Sequence, residues 1–278
     1  MTNSSTTFRT YKYRIYTNKH QQECLNEILG LACWLYNHAL AYRRKRWNES
    51  RRAVSYFDLT RMWGLWRNEY KPINQLQTLN MASGQLVLRR LDSAYRQFLL
   101  GEHGFPRHKK YKHFNSLDFK YGNGIKIRHN NLYVQNVGTV NIHLHRELAD
   151  GKIKQATILR KPSGWYVLFA IELSQVITPE NNHSAVGIDI GISHALATSD
   201  GEFTDSPRHL AQSLRKLRVL NRSLARKKLG GSNWRKTAKH LARLHEHIAN
   251  QRRDFWHKET HKLVSQYCTI VLEDLDLT

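Results

Sequence analysis

Cysteine is scarce: Cys24, Cys33 and Cys268 are three widely separated thiols in 278 residues. No C-x-x-C pair occurs, so the sequence encodes neither a disulfide framework nor a zinc knuckle, and no zinc is expected. Three small apolar side chains in a reducing cytoplasm are the plain account of them. Long apolar runs are missing too. No stretch approaches about 18 residues and no apolar segment follows a basic start, so neither a spanning helix nor a signal peptide is indicated. Acidic residues are the third shortage. Against 22 Asp+Glu stand 44 Lys+Arg, a net charge of +22 with a pI near 10.1. Such an excess repels itself unless a polyanion neutralises it. With no membrane segment, nucleic acid is the expected partner.

The 40% of hydrophobic and 10% of aromatic residues describe a globular chain with room for two domains. Phe8 to Tyr16 alternates aromatic or apolar with basic residues, the period of a half-buried strand. Thr17 and Asn18 then offer cap chemistry for a helix with Leu25, Ile28, Leu29, Ala32, Leu35, Tyr36, Ala39 and Leu40 on one face. A second helix is expected from about Ser55. A third spans about Asn80 to Leu99, with Leu86, Leu88, Leu91, Tyr95 and Phe98 inward and Arg89, Arg90 and Arg96 outward. From Gly101 a Gly/Pro-punctuated basic loop leads into short alternating runs. Two longer ones, Lys152 to Lys161 and Trp165 to Leu173, read as a hairpin. The segment 175–184 is the candidate linker. Beyond it, strands are expected at Ala185 to Ile190, His194 to Thr198 and Cys268 to Leu272. Between them lie basic helices broken at Gly230-Gly231, with Ser232 as N-cap.

Asp189 sits in an apolar strand read as buried, a costly place for a carboxylate unless it binds something positive. Glu273 ends a second apolar strand. Two carboxylates on neighbouring strands suit Mg²⁺, and with a third they suit the two-ion cleavage of phosphodiesters. Asp-x-Gly on a strand also belongs to sugar kinases and actin-like ATPases. Those enzymes need further glycine-rich phosphate loops and have no need of the charge between the two acids. From Asp205 to Lys262 there are 16 Lys+Arg against 4 Asp+Glu, a net of +12, which suits tracking of a phosphate backbone. A solvated helical face is the bland alternative.

The motifs YKYRIYTNKHQQECLNEILGLACWLYNHAL (from Tyr11), LDSAYRQFL (from Leu91), GFPRHKK (from Gly104), GIDIG around Asp189, LRKLRVLNRSLARKKLGGSN (from Leu214), ARLHEHIANQRRDFWHKETHKLV (from Ala242) and TIVLEDL occur in order along nearly the whole chain. Together they resemble the TnpB (OrfB) family of transposon-encoded, RNA-guided DNA endonucleases, relatives of type V CRISPR effectors. The resemblance implies an α+β multidomain fold. A β-barrel wedge domain (1–16 plus 101–174) carries an inserted helical recognition block (17–100). A partial RNase H-like (RuvC) α/β domain with a basic helical hairpin (185–278) follows the linker. It also implies a guide RNA from the transposon end, a double-stranded DNA target beside a short adjacent motif, and Mg²⁺ at Asp189 and Glu273.

By position, Tyr56 and Gln85 resemble residues that contact the adjacent motif, and Gln can pair bidentately with adenine. Helix packing and a surface amide are the bland alternatives. Arg107, Lys109, Lys110, Arg226, Lys227, Lys228, Arg252, Arg253, His257 and Lys258 are expected on nucleic-acid backbone. Trp34, Trp47, Trp63 and Trp66 divide between core and base stacking. The family's third catalytic acid and zinc ribbon have no counterpart here. The chain is therefore expected to cut weakly on its own, or to act by guided occupancy as a nuclease-deficient repressor. A cytoplasmic, nucleoid-associated location follows; oligomeric state is not legible.

Overall fold

The computed structural model of the protein describes residues 7–69, 71–174, 185–191 and 194–273. The expected linker 175–184, and Asp274 and Asp276, lie outside the described residues. The chain divides into two compact units, Met1–Val176 and Ile177–Thr278.

The first unit is built on a seven-stranded antiparallel sheet. In it β1 (Phe8–Tyr16) lies between β5 (Gly138–His143) and β7 (Gly164–Leu173). The remaining strands are β2 (Ser116–Lys120), β3 (Ile125–Arg128), β4 (Asn131–Val134) and β6 (Gly151–Lys161), in the order β2-β6-β7-β1-β5-β4-β3. Alternation along β1 buries Tyr11, Tyr13 and Ile15 and leaves Arg9 and Arg14 in water, as the period-2 pattern requires. β6 and β7 turn at Pro162-Ser163, with Lys161 opposite Gly164. Gly164 adopts φ +145° there, a region that glycine reaches readily.

Helix α1 (Lys19–Ser50) begins at a capping box. The Asn18 side chain accepts from Gln21 N–H, and the Gln21 side chain accepts from Asn18 N–H. Gln21 also donates to the Thr139 carbonyl at 2.9 Å, tying the helix start to β5. All eight residues of the expected apolar face of α1 are buried. Helix α2 (Tyr56–Glu69) packs on α3 (Met81–Leu99) at very close range. The Trp63 indole is fully buried and donates to the Met81 carbonyl at 3.2 Å. It lies where a Cβ on Gly84 would stand.

Two readings of α3 are corrected. Arg90, expected outward, turns toward β2. It donates to Asp118 from Nε at 2.9 Å and from Nη2 at 2.6 Å, and from Nη1 to the Ser116 carbonyl. Thr157 on β6 donates to the other Asp118 oxygen at 2.6 Å. A carboxylate among the sheet strands thus draws the guanidinium in, a pull that helical periodicity alone does not register. Phe98, expected inward, is 37% exposed, because the last turn of α3 runs past the end of the packed face.

The second unit holds a four-stranded sheet of β8 (Ala185–Asp189), β9 (Leu196–Thr198), β10 (Phe203–Thr204) and β11 (Thr269–Leu272), in the order β10-β9-β8-β11. Val186, Ile188 and Leu196 form its core with Leu263, Tyr267 and Ile270 packed around them. Helices α4 (His209–Ala225) and α5 (Ser232–Gln266) pack on each other. The stretch from Trp234 to Val264 lies within one continuous 35-residue helix, α5. Its N-cap is Gly231, with no side-chain cap bond, and Ser232 is already helical. The Gly230-Gly231 pair, with Gly230 at φ +77°, makes the turn itself and places the serine one position too late to cap.

Candidate functional site

Strands β8 and β11 run parallel, with Ile270 opposite Val186, Val271 opposite Gly187 and Leu272 opposite Ile188. Asp189 and Glu273 are the residues that immediately follow the last paired residues, Ile188 and Leu272, at the ends of the two neighbouring strands. Alternation turns Val186 and Ile188 into the core and Asp189 to the other face. The expectation of a carboxylate inside a buried strand is therefore corrected. Asp189 is exposed at the C-terminal end of β8, and Glu273 is exposed just past β11. No desolvation penalty has to be offset; what distinguishes the pair is adjacency at two parallel strand ends.

The approach of Glu273 is fixed by the end of α5. The Tyr267 hydroxyl donates to Asp200 at 2.8 Å, which raises the phenol above its ordinary pKa. Lys262 pairs with Glu202 at 2.9 Å, and that hydrogen bond raises the ammonium likewise. These ties dock the last turns of α5 on the β9–β10 turn and launch β11 alongside β8. Two further acids are engaged elsewhere: Asp205 contacts His194 at 2.7 Å and Glu259 accepts from Thr204. Among the described residues no group of three His, Cys, Asp or Glu side chains gathers as a metal cage.

Directly after Asp189 the chain enters the wall of a cleft of about 470 Å³. Ile190 and Gly191 face Arg208 and His209 at the start of α4, and Arg252, Phe255 and Trp256 on α5. Arg252 is thereby brought beside the turn that follows the first acid. Arg208 and Trp256 were not singled out in the sequence. The available signal was a tryptophan, 39% exposed here, close behind the Arg252-Arg253 pair. His209 Nδ1 is buried there without a hydrogen bond.

The remaining basic candidates fall on separate surfaces. Arg226, Lys227 and Lys228 mark the α4–α5 turn, where Lys227 donates to the Thr237 hydroxyl. Arg253 and His257 are exposed on α5. Lys258 pairs with Asp254 one turn earlier at 2.7 Å, an exposed pair of small net value. In the first unit, the loop carrying Arg107, Lys109 and Lys110 is pinned to α1. Asn37 accepts from Lys109 N–H at 2.8 Å and donates to the Lys109 carbonyl at 2.9 Å. Nearby, Arg160 holds the Tyr111 hydroxyl and Asn26. The loop backbone is thus anchored while its cationic side chains stay in water.

Tyr56 and Gln85 are brought to neighbouring positions. The Arg89 guanidinium lies over the Tyr56 ring, 5.3 Å from its centre, and Gln85 is one helical turn before Arg89 on the same face. Of the four tryptophans considered for base stacking, Trp63 and Trp66 are core, Trp34 is half-buried, and Trp47 is 49% exposed.

A basic two-unit chain, with paired carboxylates at parallel strand ends and cations arrayed on both units, has the build of a nucleic-acid-processing protein. A family model described as "Probable transposase" matches residues 168–278. One described as "Helix-turn-helix domain" matches residues 7–52, a stretch that here forms one strand and one long helix. The chain is 31% identical to "Putative RNA-guided DNA endonuclease InsQ" of Escherichia coli (strain K12), over 93% of this chain and 64% of that protein. It is 30% identical to a protein of the same designation from Streptomyces pristinaespiralis, over 96% of this chain and 67% of that one. The chain belongs to the TnpB (OrfB) family. It spans about two thirds of the length of these relatives. A cryo-EM structure of a Cas12f1–sgRNA–target DNA complex aligns at TM-score 0.38 and 13% identity, over 97% of this chain and 74% of that chain. Among the described residues no helix is long and apolar enough to cross a membrane.

Proposed function

We propose that this chain binds a guide RNA and, through it, targets duplex DNA beside a short adjacent motif. In this reading Asp189 and Glu273 are carboxylates of a RuvC-like, metal-dependent nuclease centre. The supporting observation is the β8–β11 register, which brings two acids 84 positions apart in sequence to adjacent strand ends, in a family whose named relatives are RNA-guided DNA endonucleases.

In the same reading the sheet of 1–16 and 101–174 is a wedge domain carrying the helical block 17–100, and 185–278 is RNase H-like. Sequence is read by base pairing, so the protein needs cationic surface more than base-specific side chains. Arg107, Lys109, Lys110, Arg226, Lys227, Lys228, Arg252, Arg253, His257 and Lys258 neutralise phosphates. Tyr56 and Gln85, both near Arg89, meet the adjacent motif, Gln85 suiting an adenine edge.

The two carboxylates fit Mg²⁺: both are hard oxygen donors and both are open to water, which that ion retains in its shell. When bound there it would supply Lewis acidity to a phosphodiester and a nucleophilic water. The chain's own part is to hold the acids adjacent, with Arg252 and Arg208 balancing phosphate charge across the cleft and Trp256 offering a stacking face.

The test is expression together with the DNA flanking the coding sequence, sequencing of co-purifying RNA, and incubation with motif-flanked duplex and Mg²⁺. Guided binding with weak cutting is expected, and the residual cutting should disappear in Asp189→Ala and in Glu273→Ala. Guided binding without cutting would remove the nuclease centre and leave occupancy as the activity. Failure to bind RNA at low salt would remove the whole reading.

A further inference from the structure

We infer that the helical block of the first unit carries a separate receptor for an unpaired nucleotide, in the cavity between the C-terminal ends of α1 and α3. This rests on the nucleic-acid-binding reading above and names a site that reading does not contain. The cavity measures about 730 Å³, within the usual range for ligand pockets.

Its apolar wall is left in water: Trp47 is 49%, Phe98 37% and Phe105 40% exposed. The wall is also held in place. Phe105 packs edge-on against Tyr95 (5.4 Å, 82°) and against Phe98 (5.2 Å, 81°). Four arginines line the same space, Arg43, Arg44, Arg52 and Arg96, with Asp92 as the single acid. Asp92 is taken by Arg43 at 2.5 Å. Among the described residues Arg44, Arg52 and Arg96 have no ion-pair partner in the cavity. Arg43 itself is 7% exposed and stands 4.6 Å over the Tyr95 ring. Its Nε is buried with no hydrogen bond, a costly arrangement for a donor unless an acceptor arrives.

An apolar ligand would leave three cations unneutralised, whereas a protein surface would have to bring its own acids. A nucleotide carries a flat aromatic face and one negative phosphate in a single unit, which matches rings set among arginines. The occupant is therefore a base from a single-stranded stretch, stacked on Trp47 and Phe98, with its phosphate at Arg44 and Arg96.

The test uses the full chain and a 12-residue oligothymidylate carrying one central 2-aminopurine. The oligouridylate counterpart is titrated separately to tell DNA from RNA. Binding should quench the 2-aminopurine. Trp47→Ala and Phe98→Ala should each weaken binding about five- to tenfold with the salt slope unchanged, because only stacking is lost. Arg44→Gln with Arg96→Gln should instead lower that slope by about 0.7, one single-strand phosphate. These side chains are exposed, and an unchanged circular dichroism spectrum verifies folding. Full affinity and full quenching in both aromatic variants would overturn the site while leaving guided targeting intact. Displacement of the oligonucleotide by a polyglutamate peptide that needs the same rings would also overturn it, in favour of a protein partner. No binding of either oligonucleotide by the wild type would overturn it, and binding of structured guide RNA in the same sample would show that the wider reading survives.

Discussion

Replacing Gly84 with alanine sets two physical effects of opposite sign against each other. In an unobstructed helix interior the change stabilises by about 1 kcal/mol. On α3, however, three indole atoms of Trp63 would lie within 2.8 Å of the new Cβ, and Trp63 is fully buried. Forcing the indole aside costs about 1–3 kcal/mol of overpacking. Losing its bond to the Met81 carbonyl adds about 1–3 kcal/mol for a buried donor left unpaired. The net expectation is a loss of about 3 kcal/mol, within a range of about 1–5. For a unit of this size that lowers the melting temperature by about 6–12 °C. Gly64 on α2 is the internal control. A Cβ there meets nothing within 4 Å, so Gly64→Ala should stabilise by about 1 kcal/mol. Urea titrations followed by tryptophan fluorescence report both. If Gly84→Ala leaves stability unchanged or raises it, the α2–α3 contact is not as close as described, and the placement of Arg89 over Tyr56 loses its support.

Asp118→Ala strands Arg90 beneath the sheet and should cost about 3 kcal/mol in a urea titration; a loss below about 1 kcal/mol would mean that water already solvates the pair. Burial between the Trp34 and Trp66 rings holds His38 below its ordinary pKa. The unfolded chain therefore takes the proton first. Its contribution is full above about pH 6.5 and is lost as pH falls toward the folded-state value. The stability difference between wild type and His38→Gln should shrink from pH 7.5 to pH 5, and a constant difference would refute the burial argument. Changing Arg226, Lys227 and Lys228 together to glutamine should flatten the salt dependence of duplex binding by about 2.7, three phosphate contacts; an unchanged slope would take the α4–α5 turn off the nucleic acid.

Local chemistry made much of the fold legible. Asn18 with Gln21, and Asn80 before α3, are side chains that satisfy helix-start amides, and both helices begin where those residues stand. Period-2 alternation located β1 and the β6–β7 hairpin because one face of each is buried. What failed was whatever depends on distant partners. Arg90 turns inward because Asp118 and Thr157 arrive from two strands. Asp189 is exposed because its strand ends there, and a run of apolar letters does not say which neighbour covers it. β10 is two residues long and carries no periodicity at all. The pairing of β8 with β11 was suggested by resemblance; no local pattern encodes a parallel register across so many residues.

That register also sets an order in time. The basic loop, the helical block and the seven-stranded sheet are encoded before residue 175, and their contacts close within the first unit. The acid pair must await a 35-residue helix and a parallel ladder whose loop-closure entropy precedes any gain from pairing. The emerging chain thus acquires cationic surface long before it acquires adjacent carboxylates. Pulsed hydrogen exchange during refolding should protect the β1–β7 ladder before the β8–β11 ladder, and the reverse order would contradict this sequence of assembly.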